Sequence, residues 1–159
     1  MDIKPKKSLG QNFLIDKNIL RKIISLGKIE HSDNILEIGS GTGNLTKFFL
    51  EKKFNKLILI EKDKRLIRNL KLDLTNIKNI QFINDDILKL DLEKIISGNM
   101  IIFGNLPYNI SSQILIQLIK FKNWLPKYKK LVLMFQKEVG EKIISNFGNK
   151  NYSRLGIIS

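Results

Sequence analysis

Residues 34–50 constrain the fold most. Asn34-Ile35-Leu36-Glu37-Ile38 reads as a short buried strand, Gly39-Ser40-Gly41-Thr42-Gly43 follows at once, and Asn44-Leu45-Thr46-Lys47-Phe48-Phe49-Leu50 reads as helical. A strand that runs through a glycine-rich turn into a helix is a nucleotide-cofactor arrangement, because residues without a Cβ let the backbone approach a ligand closely. The spacing is G-x-G-x-G, with Asn44 where a dinucleotide fold places its last glycine, so the pattern departs from the one for NAD.

The next elements repeat the theme. Leu57-Ile58-Leu59-Ile60 reads as a second strand and ends in Glu61, 22 residues after Gly39. A carboxylate at that distance accepts both hydroxyl hydrogen bonds of a ribose. A helix over 63–72 follows, with Leu66, Ile67 and Leu70 at helical spacing and a basic outer face. Ile80-Gln81-Phe82-Ile83 is a third strand, running into Asn84-Asp85-Asp86-Ile87-Leu88. Two adjacent acids without further ligands make a weak metal site. An acceptor for an adenine amino group fits better, and Asp86, beside an apolar wall, is the candidate.

Met100-Ile101-Ile102-Phe103 reads as the fourth strand, and Gly104-Asn105-Leu106-Pro107-Tyr108-Asn109 emerges at its carboxyl end, where open α/β sheets bind ligands. Pro107 fixes its own φ and pushes Leu106 out of the α region, so the Asn105 side chain and nearby carbonyls are held in one direction beside an aromatic face. Such a site suits a flat ring bearing an amino group. A strand followed by an ordinary proline turn is the plainer reading of the same residues.

The remaining segments supply the scaffold. Asp16 is a candidate cap for a helix with Ile19, Leu20, Ile23 and Ile24 on one face, ending at Gly27. A helix over 111–120 turns Ile114, Leu115, Leu118 and Ile119 inward. Lys122, Trp124, Lys127, Tyr128, Lys129 and Lys130 form a basic, aromatic-laced connector, open to RNA contact or to simple solvation. A fifth strand over 131–135, a helix over 137–146, a polar loop over 148–154 and the start of another strand or helix complete the chain. Alternating strands and helices predict an α/β fold, a doubly wound and mostly parallel Rossmann-like sheet.

At 159 residues and 43% hydrophobic content the chain supports one domain with a real core. Lys and Arg number 28 against 15 acids, for a net charge of +13. That surplus points to a polyanionic partner, nucleic acid before an anionic membrane surface, although the abundance of Lys, Ile and Asn and the absence of Ala also suit a coding bias. With no Cys there is no disulfide or zinc-thiolate site. A single histidine, His31, sits beside Ser32-Asp33 where a surface loop residue is expected. Apolar runs are far shorter than a membrane span, and Met1-Asp2-Ile3-Lys4-Pro5-Lys6-Lys7 is charged where a signal peptide needs its apolar segment. The expectation is a soluble cytoplasmic protein with no membrane partner, or an organellar one if the source is eukaryotic.

Together these residues resemble the catalytic domain of the small-subunit ribosomal RNA adenine N6,N6-dimethyltransferases. The matching stretches are Lys7-Ser8-Leu9-Gly10-Gln11-Asn12-Phe13-Leu14, Leu36 to Gly43, Glu61-Lys62-Asp63, Asp86-Ile87-Leu88, Gly104 to Ser111, Gln136-Lys137-Glu138-Val139 and Tyr152-Ser153-Arg154-Leu155. They span the chain in the family's order. The resemblance implies S-adenosyl-L-methionine as cofactor and dimethylation of two adjacent adenosines near the 3′ end of small-subunit ribosomal RNA, linked to maturation of the immature subunit. It implies that Asn12 and Leu14 cover the cofactor, that Gly39 lies under its methionine part, that Glu61 binds the ribose and that Asp86 reads the adenine amine. Gln11, Gly41, Lys62, Ile87 and Asn105 join that cofactor-binding set. Asn105 and Tyr108 are the family's catalytic pair, held by Leu106 and Pro107. Residues 1–15 then form a basic arm that completes the cofactor site, and residues 16–159 a catalytic domain truncated at its C-terminal end, since the family continues into an aromatic- and proline-containing motif and a small helical RNA-binding domain. A monomer is expected.

Adenine's exocyclic nitrogen is a poor nucleophile because its lone pair is delocalised into the ring. If the Asn105 carbonyl and the Leu106 backbone carbonyl accept its two N–H hydrogens, the lone pair turns towards the methyl donor, with Tyr108 stacked on an extruded base. No metal is required. Related readings are a large-subunit adenine N6-methyltransferase of the macrolide-resistance type, an organellar transcription factor and a noncatalytic RNA-binding or ribosome-assembly module. A nicotinamide oxidoreductase shares the glycine turn and Glu61 but leaves Asn105 to Tyr108 and the charge without a use.

Overall fold

In the computed structural model, which describes residues 5–6, 9–120, 127–151 and 153–158, the apolar runs become one five-stranded sheet. β1 (Asn34–Ile38), β2 (Lys56–Ile60), β3 (Ile80–Ile83), β4 (Met100–Asn105) and β5 (Lys130–Met134) lie in the order β3-β2-β1-β4-β5, and every pairing is parallel. Strands buried on both faces in this way read as continuous rather than alternating apolar sequence. Helices α1 (Lys17–Gly27), α2 (Asn44–Phe49), α3 (Lys64–Asp73), α4 (Leu92–Ile95), α5 (Ser111–Ile119), α6 (Lys137–Ile144) and α7 (Arg154–Ile158) connect and flank them.

The pleat divides the core in two. Ile35, Leu57, Leu59, Ile101 and Phe103 face Leu20, Ile23 and Ile24 of α1, Leu45 and Phe49 of α2 and Leu70 of α3. Their strand neighbours Leu36, Ile38, Ile58, Ile60 and Ile102 pack on the other side against Ile87, Leu92, Ile114 and Leu118. Asp16 caps α1 as its sequence predicts, its Oδ1 accepting from the Asn18 N–H (2.8 Å) and the Ile19 N–H (3.2 Å). Gly27 ends that helix against the sheet: a Cβ there would lie 2.4 Å from Cζ of the buried Phe103.

Several expectations need correction. Ile19 is 45% exposed and does not share the inward face of Leu20, Ile23 and Ile24, because those three already fill the contact with the sheet. Ile119 is only half-buried. β4 runs two residues further than its apolar stretch, since Gly104 and Asn105 pair with Leu133 and Met134 of β5. β5 starts at Lys130 and ends before Phe135, and α6 stops at Ile144. The segment after β3 carries a 3₁₀ turn (Ile87–Lys89) and α4, neither of which the acidic run announces. The closing segment is helical.

The basic connector also changes meaning. Lys129 Nζ binds Glu30 Oε2 (2.8 Å) and both oxygens of the buried Asp33 (3.1 Å), while Lys130 Nζ reaches the Leu26 and Gly27 carbonyls at the end of α1. Both cations fasten β5 to the α1 side of the sheet, and the second sits at a helix C-terminus where positive charge is favoured. Lys122 and Trp124 lie outside the described residues, as do Met1, Asp2, Ile3, Lys4, Lys7, Ser8, Tyr152 and Ser159. Among the described residues no helix is long and apolar enough to cross a membrane.

Candidate active site

The chain runs from β1 outward through β2 to β3, then returns to place β4 on the other side of β1. That reversal opens a crevice at the carboxyl ends of β1 and β4, the place where doubly wound sheets bind ligands. The glycine turn leaves one wall of the crevice and Asn105 the other. Gln11, Asn12, Leu14, Gly39, Gly41, Glu61, Lys62, Asp86, Ile87, Asn105 and Pro107 all line one cavity there.

Glu61 organises the turn. The Gly39 and Ser40 N–H groups both donate to the Ile60 carbonyl (2.8 and 3.3 Å), which pins the turn to the end of β2. Glu61 Oε2 then accepts the Gly41 N–H (2.9 Å) and Oε1 the Asp63 N–H (2.8 Å). Burial pushes its pKa above the ordinary value, and the hydrogen bonds from Asp63 and Gly41 oppose that rise. Gly41 has φ +57°, a left-handed conformation that favours glycine, and it faces Phe13 of the N-terminal arm at van der Waals distance.

Asp86 lies one strand further out. Its Oδ2 pairs with Lys62 Nζ at 2.8 Å and its Oδ1 accepts the Leu88 N–H, capping the 3₁₀ turn. The Lys62 ammonium holds its carboxyl below the usual carboxylate range. Both residues therefore meet in one ion pair at the cavity wall beside the buried Ile87.

Opposite, Asn105 Nδ2 donates to the Asn12 carbonyl (2.8 Å), so the donor end of the amide is committed to the arm and the acceptor end Oδ1 is left for a ligand. Asn12 Nδ2 in turn donates to the Tyr108 hydroxyl. Tyr108 is 42% exposed and lines a second cavity that shares Asn12, Phe13, Leu14, Asn105 and Met134 with the first. Leu106 is 1% exposed, packs in the core and lines neither cavity, so the structure does not bring this predicted site residue to the crevice with Asn105 and Pro107.

Glu37, Thr46, Asn44 and Asp63 have a part in this arrangement to which their sequence assigns no site role. Glu37 is 2% exposed and lines the cavity, its Oε2 accepting the Thr46 hydroxyl (2.6 Å); burial pushes its pKa up to about 8 against the lowering effect of that bond. Asn44 Nδ2 donates to the Leu14 carbonyl (2.9 Å), and Gln11 Nε2 to Asp63 Oδ2 (3.3 Å). An acid within the apolar run Asn34 to Ile38 is the one local clue to Glu37. Asn44 and Asp63 act on the arm across 30 and 52 residues of sequence, and no local pattern records that.

The ribosomal RNA adenine dimethylase family model matches residues 3–159. The ribosomal RNA small subunit methyltransferase A of Pelagibacter ubique is 50% identical over 159 residues, covering 100% of this chain and 60% of the relative. That of Desulforapulum autotrophicum is 43% identical over 156 residues, covering 96% and 54%. Among solved structures, a dimethyladenosine transferase from Plasmodium falciparum superposes with a TM-score of 0.79 at 38% identity, over 92% of this chain and 51% of that one. The 23S rRNA methyltransferase ErmE gives 0.76 at 25% identity, over 92% and 56%. The chain spans little more than half the length of these relatives.

Proposed function

The chain belongs to the ribosomal RNA adenine dimethylase family, whose methyl donor is S-adenosyl-L-methionine, and we propose that it catalyses dimethylation of the N6 amines of two adjacent adenosines near the 3′ end of small-subunit ribosomal RNA. The orientation of the Asn105 amide carries this reading. With Nδ2 donating to the Asn12 carbonyl, Oδ1 is the end that meets a ligand, and an exocyclic amine needs an acceptor.

The cavity fits the cofactor by its donor set. Of the residues that line the cavity, Glu61 would take the ribose hydroxyls, Asp86 beside Ile87 the adenine amine and Gly39 the methionine part, with Gln11, Asn12, Leu14, Gly41 and Lys62 completing the binding set. Bound there, S-adenosyl-L-methionine supplies a methyl group already activated on a sulfonium. The protein's task is then to present the nucleophile. Asn105 Oδ1 and the Leu106 carbonyl would hold the amine's two hydrogens so that the nitrogen pyramidalises and its lone pair is localised on it instead of being delocalised into the ring. Tyr108 offers a face on which the extruded base stacks, a contact of about 1–3 kcal/mol. Pro107 keeps the turn rigid. A monomethylated amine returns with one N–H, which a single one of these acceptors still holds.

The partner is small-subunit ribosomal RNA within the immature subunit, met by a monomer in the cytoplasm; residues 1–15 serve as the arm of the cofactor site and residues 16–159 as the catalytic domain. Small-subunit names at 50% and 43% identity, against 25% for the large-subunit enzyme, support this target over the large subunit. The test offers unmethylated small and large subunits separately with labelled cofactor and maps the label by nuclease digestion. N6-dimethyladenosine confined to small-subunit RNA is expected; label on large-subunit RNA alone would transfer the assignment to the other branch.

A further inference from the structure

Asp63 does not line the cavity, yet it is 2% exposed at its side chain and its carboxylate gathers groups from two distant parts of the chain. One oxygen, Oδ1, accepts the Arg65 N–H (3.0 Å) and so caps α3. That role needs a single acceptor. The other, Oδ2, takes Arg65 Nη2 (2.7 Å), Gln11 Nε2 (3.3 Å) and, at 3.7 Å, Lys6 Nζ. The Gln11 amide is locked at both ends, because its Oε1 accepts the Lys6 N–H (2.7 Å). On its other side Asp63 donates its own N–H to Glu61 Oε1 (2.8 Å), and Glu61 holds Gly41.

We propose that Asp63 is a positioning residue which, through Gln11, latches the N-terminal arm closed over the cofactor and ties that closure to Glu61. Among the described residues four side chains fasten the arm: Asn105 holds the Asn12 carbonyl, Asn44 the Leu14 carbonyl, Tyr108 the Asn12 amide, and Asp63 the Gln11 amide. The first two lie in the cavity wall; Asp63 stands behind it. A carboxylate is suited to this place because one oxygen caps the helix while the other receives the arm. Its pKa lies far below the ordinary value, with Arg65 the largest cause and Gln11 a contributor, so the latch is ionised wherever the enzyme works.

The inference rests on the cavity holding S-adenosyl-L-methionine, and its test separates the two. Serine caps a helix as well as aspartate but is too short to reach Gln11. Titration calorimetry with S-adenosyl-L-methionine on wild type, Asp63→Ser, Gln11→Ala and the double variant forms a cycle. Each single change is expected to raise Kd about tenfold, the size of one charge-assisted hydrogen bond. The double is expected to be no more than about twofold worse than the weaker single, and Asp63→Ser, whose side chain is outside the cavity, is expected to raise KM for the cofactor while keeping kcat at saturating cofactor within about twofold of wild type. Additive losses, or a wild-type Kd in Asp63→Ser, overturn the latch. If Asp63→Ser does not fold, Gln11→Glu sets two carboxylates face to face and must weaken binding more than Gln11→Ala; equal or tighter binding overturns the latch. A wild type that binds no cofactor removes the cofactor reading itself and the latch with it.

Discussion

Burial raises the pKa of the Glu37 carboxyl well above the ordinary carboxylate range. Buried on β1, with Glu61 nearby and the Thr46 hydroxyl partly offsetting the loss of solvent, it has a pKa pushed up to about 8. The linkage follows directly. Between the unfolded value near 4.5 and about 8 the folded protein binds one more proton than the unfolded chain, so stability from this group is complete below that window and is lost as pH rises through it. Glu37→Gln removes the ionisation while keeping the shape. Urea melts at pH 5 and pH 8.5 should show wild type losing stability between the two and the variant losing clearly less. Polar side chains at strand ends were legible in sequence, Glu61 from its spacing to the glycine turn, Asp86 from the apolar wall beside it and Asn105 from the proline turn that follows, and all three line the crevice. Glu37 sits within a strand, where the chain reads as core, and its chemistry depends on Thr46 folding over it.

At the level of elements, the strands were legible almost to the residue because each is a short apolar run between polar turns. Their ends were less so: β4 gains Gly104 and Asn105 through pairing with β5, a partner 29 residues away in sequence. α1 was read correctly from Asp16 to Gly27, but its inward stripe was one residue too wide at Ile19, since periodicity gives a face and not the width of the surface it meets. Gly27 shows why that helix ends where it does. Phe103 is fully buried and packs edge-on to Phe49 with ring centroids 4.8 Å apart, so it has no room to yield to a Cβ. Gly27→Ala should cost about 1–3 kcal/mol in equilibrium unfolding, as overpacked cores do. Asp16→Ala, which strips the cap at the other end, should cost about 0.5–2 kcal/mol.

Over the whole molecule the charge of +13 was legible and its distribution was not. Lys129 and Lys130 read in sequence as RNA contacts or as simply solvated cations, yet they fasten β5 to the loop before β1 and to the end of α1. Lys129→Ala leaves Asp33 buried with the Glu30 N–H as its remaining partner among the described residues, and should lower the urea midpoint of unfolding. It should leave the salt dependence of RNA binding unchanged. For the wild type, log K for small-subunit RNA should fall with log salt by about 0.7–0.9 per phosphate contacted. The measurement that reaches the centre is single-turnover methyl transfer to small-subunit RNA at saturating S-adenosyl-L-methionine, with wild type and Asn105→Ala side by side. Loss of the oriented acceptor should lower the rate about 10²- to 10³-fold while cofactor still binds; an Asn105→Ala protein that transfers methyl at the wild-type rate would contradict the assignment of this crevice as the site where the adenine amine is activated.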